Sequence, residues 1–106
     1  MRDTYEIIFS PESVQDLRDI SGYITSALHS PQSAKRTIAK IRDAIRALAY
    51  MPKRHQLVSV SSLATIGIRR IVVGNYLVLY LVDDDAKSVT ESRIIHGGRN
   101  FEKVVL

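Results

Sequence analysis

The sequence predicts an α+β fold in which a helical hairpin packs on a small, mostly antiparallel sheet. Three observations support this prediction. A short strand-like segment comes first, and two segments of helical periodicity follow it, each beginning with the pair Ser-Pro. From Ile68 onward, the apolar residues recur with a period of two, which is typical of strands. The predicted element order is therefore β-α-α-β-β-β.

Local signals place the first strand and both helices. Residues 5–9 are mostly aromatic and β-branched, which favours a strand. Residues 10–28 and 30–48 each begin with Ser-Pro. This pair predicts the start of a helix, because serine caps a helix and proline fits its first turn. Apolar residues then recur at steps of three and four, so one face of each helix is buried. The link between the helices is very short, which predicts an antiparallel pair, and Pro52 ends the second helix.

The second half of the chain reads as a short helix and three strands. Residues 51–67 are the least periodic, and so long a connection is either functional or contains a short helical turn, for which residues 61–64 are the candidate. The middle strand has no polar interruption, which predicts that it is central and buried on both faces. Glu91 and Arg93 stand two residues apart, so they should share a strand face and form an ion pair. The predicted strands are residues 68–73, 76–82 and 89–96, with a Gly-Asn hairpin turn between the first two.

Composition excludes several classes of protein. The 106 residues suit one domain, 1–106, and 45% of them are hydrophobic, which is typical of a globular core. Cysteine is absent and the three histidines are scattered, so we expect no metal site and no cofactor. No apolar run approaches the roughly 20 residues of a membrane span, and no signal peptide is recognisable, so we expect a cytoplasmic protein.

Charge indicates an anionic partner. The net charge is +4 and the pI is near 9.6, which suits nucleic acid, a ribosome or an acidic protein. Residues 31–50 carry five cationic side chains and one acidic one. This face of the second helix is either simply solvated or a binding surface, and both interpretations are open at this point.

Four segments, taken in order, resemble the RelE/ParE superfamily of bacterial toxins. No single segment is decisive, but together they span nearly the whole chain at the right spacing. The segments are FSPESVQDLRDISGYI, AKRTIAKIRDAIRALAYMPKR, RRIVVGNYLVLYLVDD and RIIHGGRNFEKVV.

The resemblance implies a toxin of a type II toxin–antitoxin module. It implies a cognate antitoxin that lays a helix and an extended segment over the domain, and contact with operator DNA only through that antitoxin. We therefore expect exposed apolar residues between the helical hairpin and the sheet, which the antitoxin covers.

RelE-like members cleave messenger RNA on the ribosome without a metal. Such cleavage needs a base, cations around the phosphate, and an acid for the leaving oxygen. Carried over by position, Arg99 and Arg70 are candidate catalytic residues, with Arg69 as the alternative to Arg70. His96 is the third candidate catalytic residue, and it and His55 are the candidate acid/base groups because imidazole titrates near neutral pH. Arg99 is the candidate phosphate ligand, because two glycines before it leave room for a close phosphate. The candidate RNA- or target-binding residues are Lys53, Arg54, His55 and Arg69.

ParE-like members instead inhibit DNA gyrase and are not nucleases. The long helices and the C-terminal segment resemble this branch, in which no residue would be catalytic. The tail also lacks the Tyr or His that RelE-like members commonly carry. The convergence of positive charge with a His/Arg pair near the end of the sheet favours ribosome-dependent mRNA cleavage, with gyrase inhibition as the alternative. A third interpretation is a member that binds its antitoxin but is no longer toxic.

Overall fold

The computed structural model of the protein describes residues 4–58 and 61–96, apart from the side chains of 61–63. Within these ranges, three helices pack on one four-stranded mixed sheet, which confirms the predicted α+β class. None of the helices in this part of the chain is long and apolar enough to cross a membrane. The elements are β1 (Glu6–Phe9), α1 (Pro11–Ser26), α2 (Pro31–Arg46), α3 (Ser61–Ile66), β2 (Arg69–Val73), β3 (Tyr76–Asp83) and β4 (Ser88–His96).

Both long helices begin where the Ser-Pro pairs predict. The Ser10 hydroxyl accepts a hydrogen bond from the Ser13 amide at 3.0 Å, and the Ser30 hydroxyl accepts one from the Ser33 amide at 3.4 Å. Each serine thereby satisfies an amide that has no partner inside its helix. α1 ends two residues earlier than predicted, and a 3₁₀ turn at Ala47–Ala49 completes the second helical segment.

The strands lie in the order β1-β4-β3-β2. β1 runs parallel to β4 and the other two pairs are antiparallel, so the mostly antiparallel sheet is confirmed. β3 is an inner strand, and its residues 77–80 are buried, as its uninterrupted apolar sequence predicts.

Two separate groups of buried side chains lie on the two faces of the sheet. The group that includes residues of α1 and α2 is called the hairpin core, and the group on the other face is called the far core. Ala64 of α3 packs against the far core, which confirms the predicted helical turn and gives it a role. The hairpin core comprises Leu17, Ile41, Ile45, Leu48, Ile71, Val78, Tyr80, Val89 and Ile94. The far core comprises Val58, Ile68, Leu77, Leu79 and Ile95.

A bulge in β4 separates Glu91 from Arg93. Arg93 is paired in register with Leu79, and Glu91 with Tyr80, so β4 advances two residues where β3 advances one. Leu79 belongs to the far core and Tyr80 to the hairpin core, so the paired residues Arg93 and Glu91 lie on opposite faces. The predicted ion pair between them is therefore wrong. Arg93 pairs instead with Asp16 of α1, with Nε–Oδ2 and Nη2–Oδ1 distances of 2.8 and 2.9 Å.

Candidate functional site

The predicted RNA- or target-binding residues cluster around the turn that follows α2, and three of the four, Lys53, Arg54 and Arg69, bind partners within the chain. Lys53 forms an ion pair with Asp84, in the turn between β3 and β4. Tyr5 donates a second hydrogen bond to Asp84 at 2.7 Å. Hydrogen bonding from Lys53, and then from Tyr5, lowers the pKa of the Asp84 carboxyl. The Lys53 ammonium therefore already has an anionic partner within the chain.

Two of the predicted arginines bind backbone carbonyls of the same segment. Arg54 Nη1 donates to the carbonyl oxygen of Tyr50 at 2.5 Å. Arg69 Nη1 donates to the carbonyl oxygens of His55 at 2.7 Å and of Lys53 at 3.3 Å. Carbonyl groups at the end of a short turn lack internal partners, and a guanidinium with several donors can satisfy more than one of them.

His55 is half-buried beside the hairpin core. Its ring stands edge-on to Tyr80 with the ring centroids 6.5 Å apart. Its Nε2 atom is buried and has no hydrogen-bond partner among the described residues. Burial, and then the charge of Arg54, lower the pKa of His55. The imidazole is therefore neutral at neutral pH and is packed rather than presented to solvent.

Arg70 and His96 lie on opposite faces of the sheet. Arg70 is paired with Leu79 of the far core, and His96 is paired with Tyr76, which packs against the hairpin core. The Arg70 side chain makes no hydrogen bond or ion pair within the described part of the chain. His96 is exposed and stands edge-on to Tyr76 with a centroid distance of 5.7 Å. Arg99 lies outside the described residues, and the catalytic roles assigned to all three stay predictions.

A groove of about 850 Å³ runs between α1, α2 and β1. Its inner side is apolar, with Leu17 buried and the other apolar side chains half-buried or only just exposed. Exposed arginines form its outer edge, so we call it the arginine groove. The apolar lining is Ile7, Phe9, Val14, Leu17 and Ile38, and the arginines are Arg18, Arg42 and Arg46.

The arginines of the groove have few binding partners in the part of the chain that the structure describes. Arg18 and Arg42 form no hydrogen bond or ion pair with any described residue. Arg46 lies 3.5 Å from Asp43, and both of these side chains are about three-quarters exposed. Such an exposed ion pair contributes little to stability. These guanidinium groups are therefore available to an anionic partner.

Gly22 of α1 lines the arginine groove, and the space beside it is open. A methyl group added at this position would meet no heavy atom within 4 Å. The exposed apolar surface expected between hairpin and sheet is present here, and Phe9 is 36% exposed. Arg18 was not among the predicted binding residues, because it lies in an otherwise acidic helix. Its spacing of four residues from both Val14 and Gly22 was the signal that placed it on the groove side.

The same fold occurs in solved toxin structures. A chain of the chromosomal ParDE toxin–antitoxin system from Pseudomonas aeruginosa aligns with a TM-score of 0.72 at 15% identity, over 89% of this chain and 97% of that one. A mutant of the Escherichia coli toxin RelE in the free state aligns with a TM-score of 0.64 at 11% identity, over 96% and 93%. A chain of a RelBE toxin–antitoxin complex from Mycobacterium tuberculosis aligns with a TM-score of 0.60 at 21% identity, over 88% of this chain and 91% of that one. The fold is that of the RelE/ParE superfamily.

The family follows from the sequence itself. Residues 7–101 match the family model for the ParE toxin of the type II toxin–antitoxin system parDE. The chain therefore belongs to the ParE toxin family, and the resemblance to RelE/ParE toxins is confirmed. A comparison with curated protein sequences finds no match.

Proposed function

We propose that this type II toxin arrests growth by inhibiting DNA gyrase and does not cleave RNA. The separation of the predicted catalytic groups is the main observation behind this proposal. Metal-free cleavage needs a base and cations within hydrogen-bond reach of one phosphate. Arg70 and His96 lie on opposite faces of the sheet instead, and Lys53, Arg54 and Arg69 bind partners within their own chain.

Membership of the ParE family supports the same mechanism. Ribosome-dependent mRNA cleavage is the second candidate, and one observation favours it. The guanidinium of Arg70 is half-buried on the far face and makes no bond within the described residues, so it could bind a phosphate.

RNA integrity and the SOS response, measured in the same growth-arrested cells, separate the two mechanisms. After induction of this chain without its antitoxin, gyrase inhibition predicts growth arrest, intact translated messages and an SOS response. With purified gyrase, the chain should block supercoiling in the absence of ribosomes. New 5′ ends within codons, appearing only in translated messages, would overturn the proposal. Absence of growth arrest would indicate a member that is no longer toxic.

His96→Gln is the matched variant for this experiment. Glutamine retains a polar side chain of comparable size but cannot take a proton near neutral pH. If His96 is a catalytic base, toxicity and RNA cleavage disappear together. On the gyrase mechanism, no RNA cleavage is present in either the wild type or the variant.

We further propose that the antitoxin occupies the arginine groove with an acidic, amphipathic segment. The apolar inner side would bury the apolar face of such a segment, and the arginines would pair with its carboxylates. Similar folds are found in ParDE and RelBE toxin–antitoxin complexes, which supports a cognate antitoxin as partner. Hydrogen exchange with and without the antitoxin tests the site: α1, α2 and β1 should gain protection. Protection confined to the far face would contradict it.

A further inference from the structure

The side chain of Glu91 is buried in the hairpin core and has no hydrogen-bond partner within residues 4–58 and 61–96. It has 0% exposure, and neither carboxyl oxygen has a hydrogen-bond partner among the described residues. Along β4 it stands between Val89 and Ile94, both members of the hairpin core. In register it faces Tyr80 on β3 and Phe9 on β1. An acidic side chain thus occupies an apolar position at the centre of the sheet.

The polar groups around Glu91 are already engaged with other partners. On α1, Asp16 binds Arg93 and accepts a hydrogen bond from the Ile94 amide at 2.8 Å. On β3, the Tyr80 hydroxyl donates to the carbonyl oxygen of Pro52 at 2.7 Å. The side chains that α2 contributes to this core are Ile41 and Ile45, and β1 presents Phe9.

The charged groups near the far end of Tyr80 do not offset the burial of Glu91. Burial raises the pKa of Tyr80 to about 12, and the charges of Arg69 and Arg54 act in the opposite direction. His55 lies beside the same ring and is neutral. Burial is the sole cause that raises the pKa of Glu91, to about 8. The carboxyl group is therefore protonated and neutral at pH 7.

We propose that Glu91 is a proton-controlled latch, which lets the α1–α2 hairpin close on the sheet while protonated and opens that packing when ionised. An ionised carboxylate buried without a partner is strongly unfavourable. The hairpin must then move far enough from the sheet to admit water to β4. The far core lies on the other side of the sheet, and the buried side chains that form it in the described part of the chain are apolar, so we expect it to stay packed.

The sign of the pH dependence follows from linkage. The ordinary pKa of a Glu carboxyl is 4.5, and in the closed protein it is about 8. Between pH 4.5 and about pH 8, Glu91 therefore keeps its proton in the closed state and has lost it in the open state. Opening becomes more favourable as the pH rises, by up to about tenfold per pH unit, and the effect levels off above pH 8.

Amide hydrogen exchange of the free chain, compared with that of Glu91→Gln, tests the latch. Glutamine keeps the size of the side chain and stays neutral at every pH. Dividing the exchange rate of each amide in the wild type by its rate in the variant cancels the intrinsic pH dependence of exchange. The quotient is the ratio of the two opening constants. For amides of α1 and α2 it should rise by about 50-fold between pH 6 and pH 8. For amides of the far core it should stay constant.

Two controls complete the experiment. Asp19→Asn removes an exposed carboxylate from α1 and should give the wild-type profile. The NMR titration of the Glu91 side-chain carboxyl in the wild type should have its midpoint near 8, and this result stands even if the glutamine variant does not fold.

Three outcomes would overturn the latch. They are a midpoint near 4.5, a constant ratio for α1 and α2, or an equal rise of the ratio in both cores, which would mean global unfolding. None of these measurements uses an antitoxin or gyrase, so their failure is distinct from failure of the proposed function. The latch would also make partner binding in the arginine groove depend on pH, because α1 and α2 form two of its walls, and this consequence rests on the proposed function.

Discussion

Two cationic regions of this protein use the same kinds of residue in different ways. Around the turn at residues 47–57, the cations of Lys53, Arg54 and Arg69 bind Asp84 and backbone carbonyls, and so they stabilise the fold. In the arginine groove, Arg18 and Arg42 bind no described residue. A cation is available to a partner only where its own chain offers no acceptor. Counting charge along the sequence therefore does not distinguish structural cations from binding ones.

The largest effect is expected from filling the arginine groove. Gly22→Leu should weaken antitoxin binding by about 100-fold, because a side chain there occupies space that the partner needs. Stability should not fall, since an added Cβ meets nothing within 4 Å and leucine favours a helix more than glycine does. Calorimetric titration with the antitoxin measures this. Gly22→Ala is the matched control and should bind nearly normally; unchanged binding by Gly22→Leu would place the antitoxin elsewhere.

Next in size is the loss of a cation that stabilises the turn. Arg69→Met removes the donor to the carbonyls of His55 and Lys53 and should reduce the free energy of unfolding by about 2 kcal/mol. Urea denaturation gives this value. Arg70→Met, on the same strand, removes a guanidinium without a bond in the described structure and should cost less than about 0.5 kcal/mol. Equal losses for the two variants would refute the distinction between the regions.

A single cation of the groove should affect binding and leave stability unchanged. Arg42→Ala should weaken antitoxin binding about tenfold, or about 1.4 kcal/mol, and lessen its dependence on salt. The free energy of unfolding should change by less than about 0.5 kcal/mol. Lys40→Ala on the same helix, at a position that does not line the groove, is the control. If both variants bind alike, general charge and not the groove attracts the partner.

The smallest effect concerns pH and the half-buried imidazole of His55 in the turn. Burial lowers the pKa of His55, so the unfolded chain binds a proton that the folded chain resists. Stability should therefore fall as the pH drops below about 6.5, the ordinary histidine value. In His55→Gln this part of the decline should be absent. Thermal unfolding between pH 5 and 7 compares the two, and parallel curves would show that His55 is solvated.

The sequence by itself determined the elements whose causes are local. The Ser-Pro pairs start both helices because a serine oxygen and a proline ring act within three residues of the chain. The Gly-Asn pair joins β2 and β3 because glycine tolerates the positive φ of 58° that Gly74 adopts. The apolar run of β3 fixed its central position, and the matched motifs fixed the family. The candidate residues could be chosen by type, since guanidinium and imidazole have known chemistry.

Tertiary structure alone decided which of those residues meet. The parallel pairing of β1 with β4 joins segments about eighty residues apart. It positions β1, which forms one wall of the arginine groove. The bulge in β4 turned Arg93 away from Glu91 toward Asp16, and a strict alternation of strand residues cannot foresee it. The burial of Glu91 follows from the same register. Partners, register and burial depend on distant parts of the chain that only packing brings together, whereas caps and turns depend on neighbours in sequence.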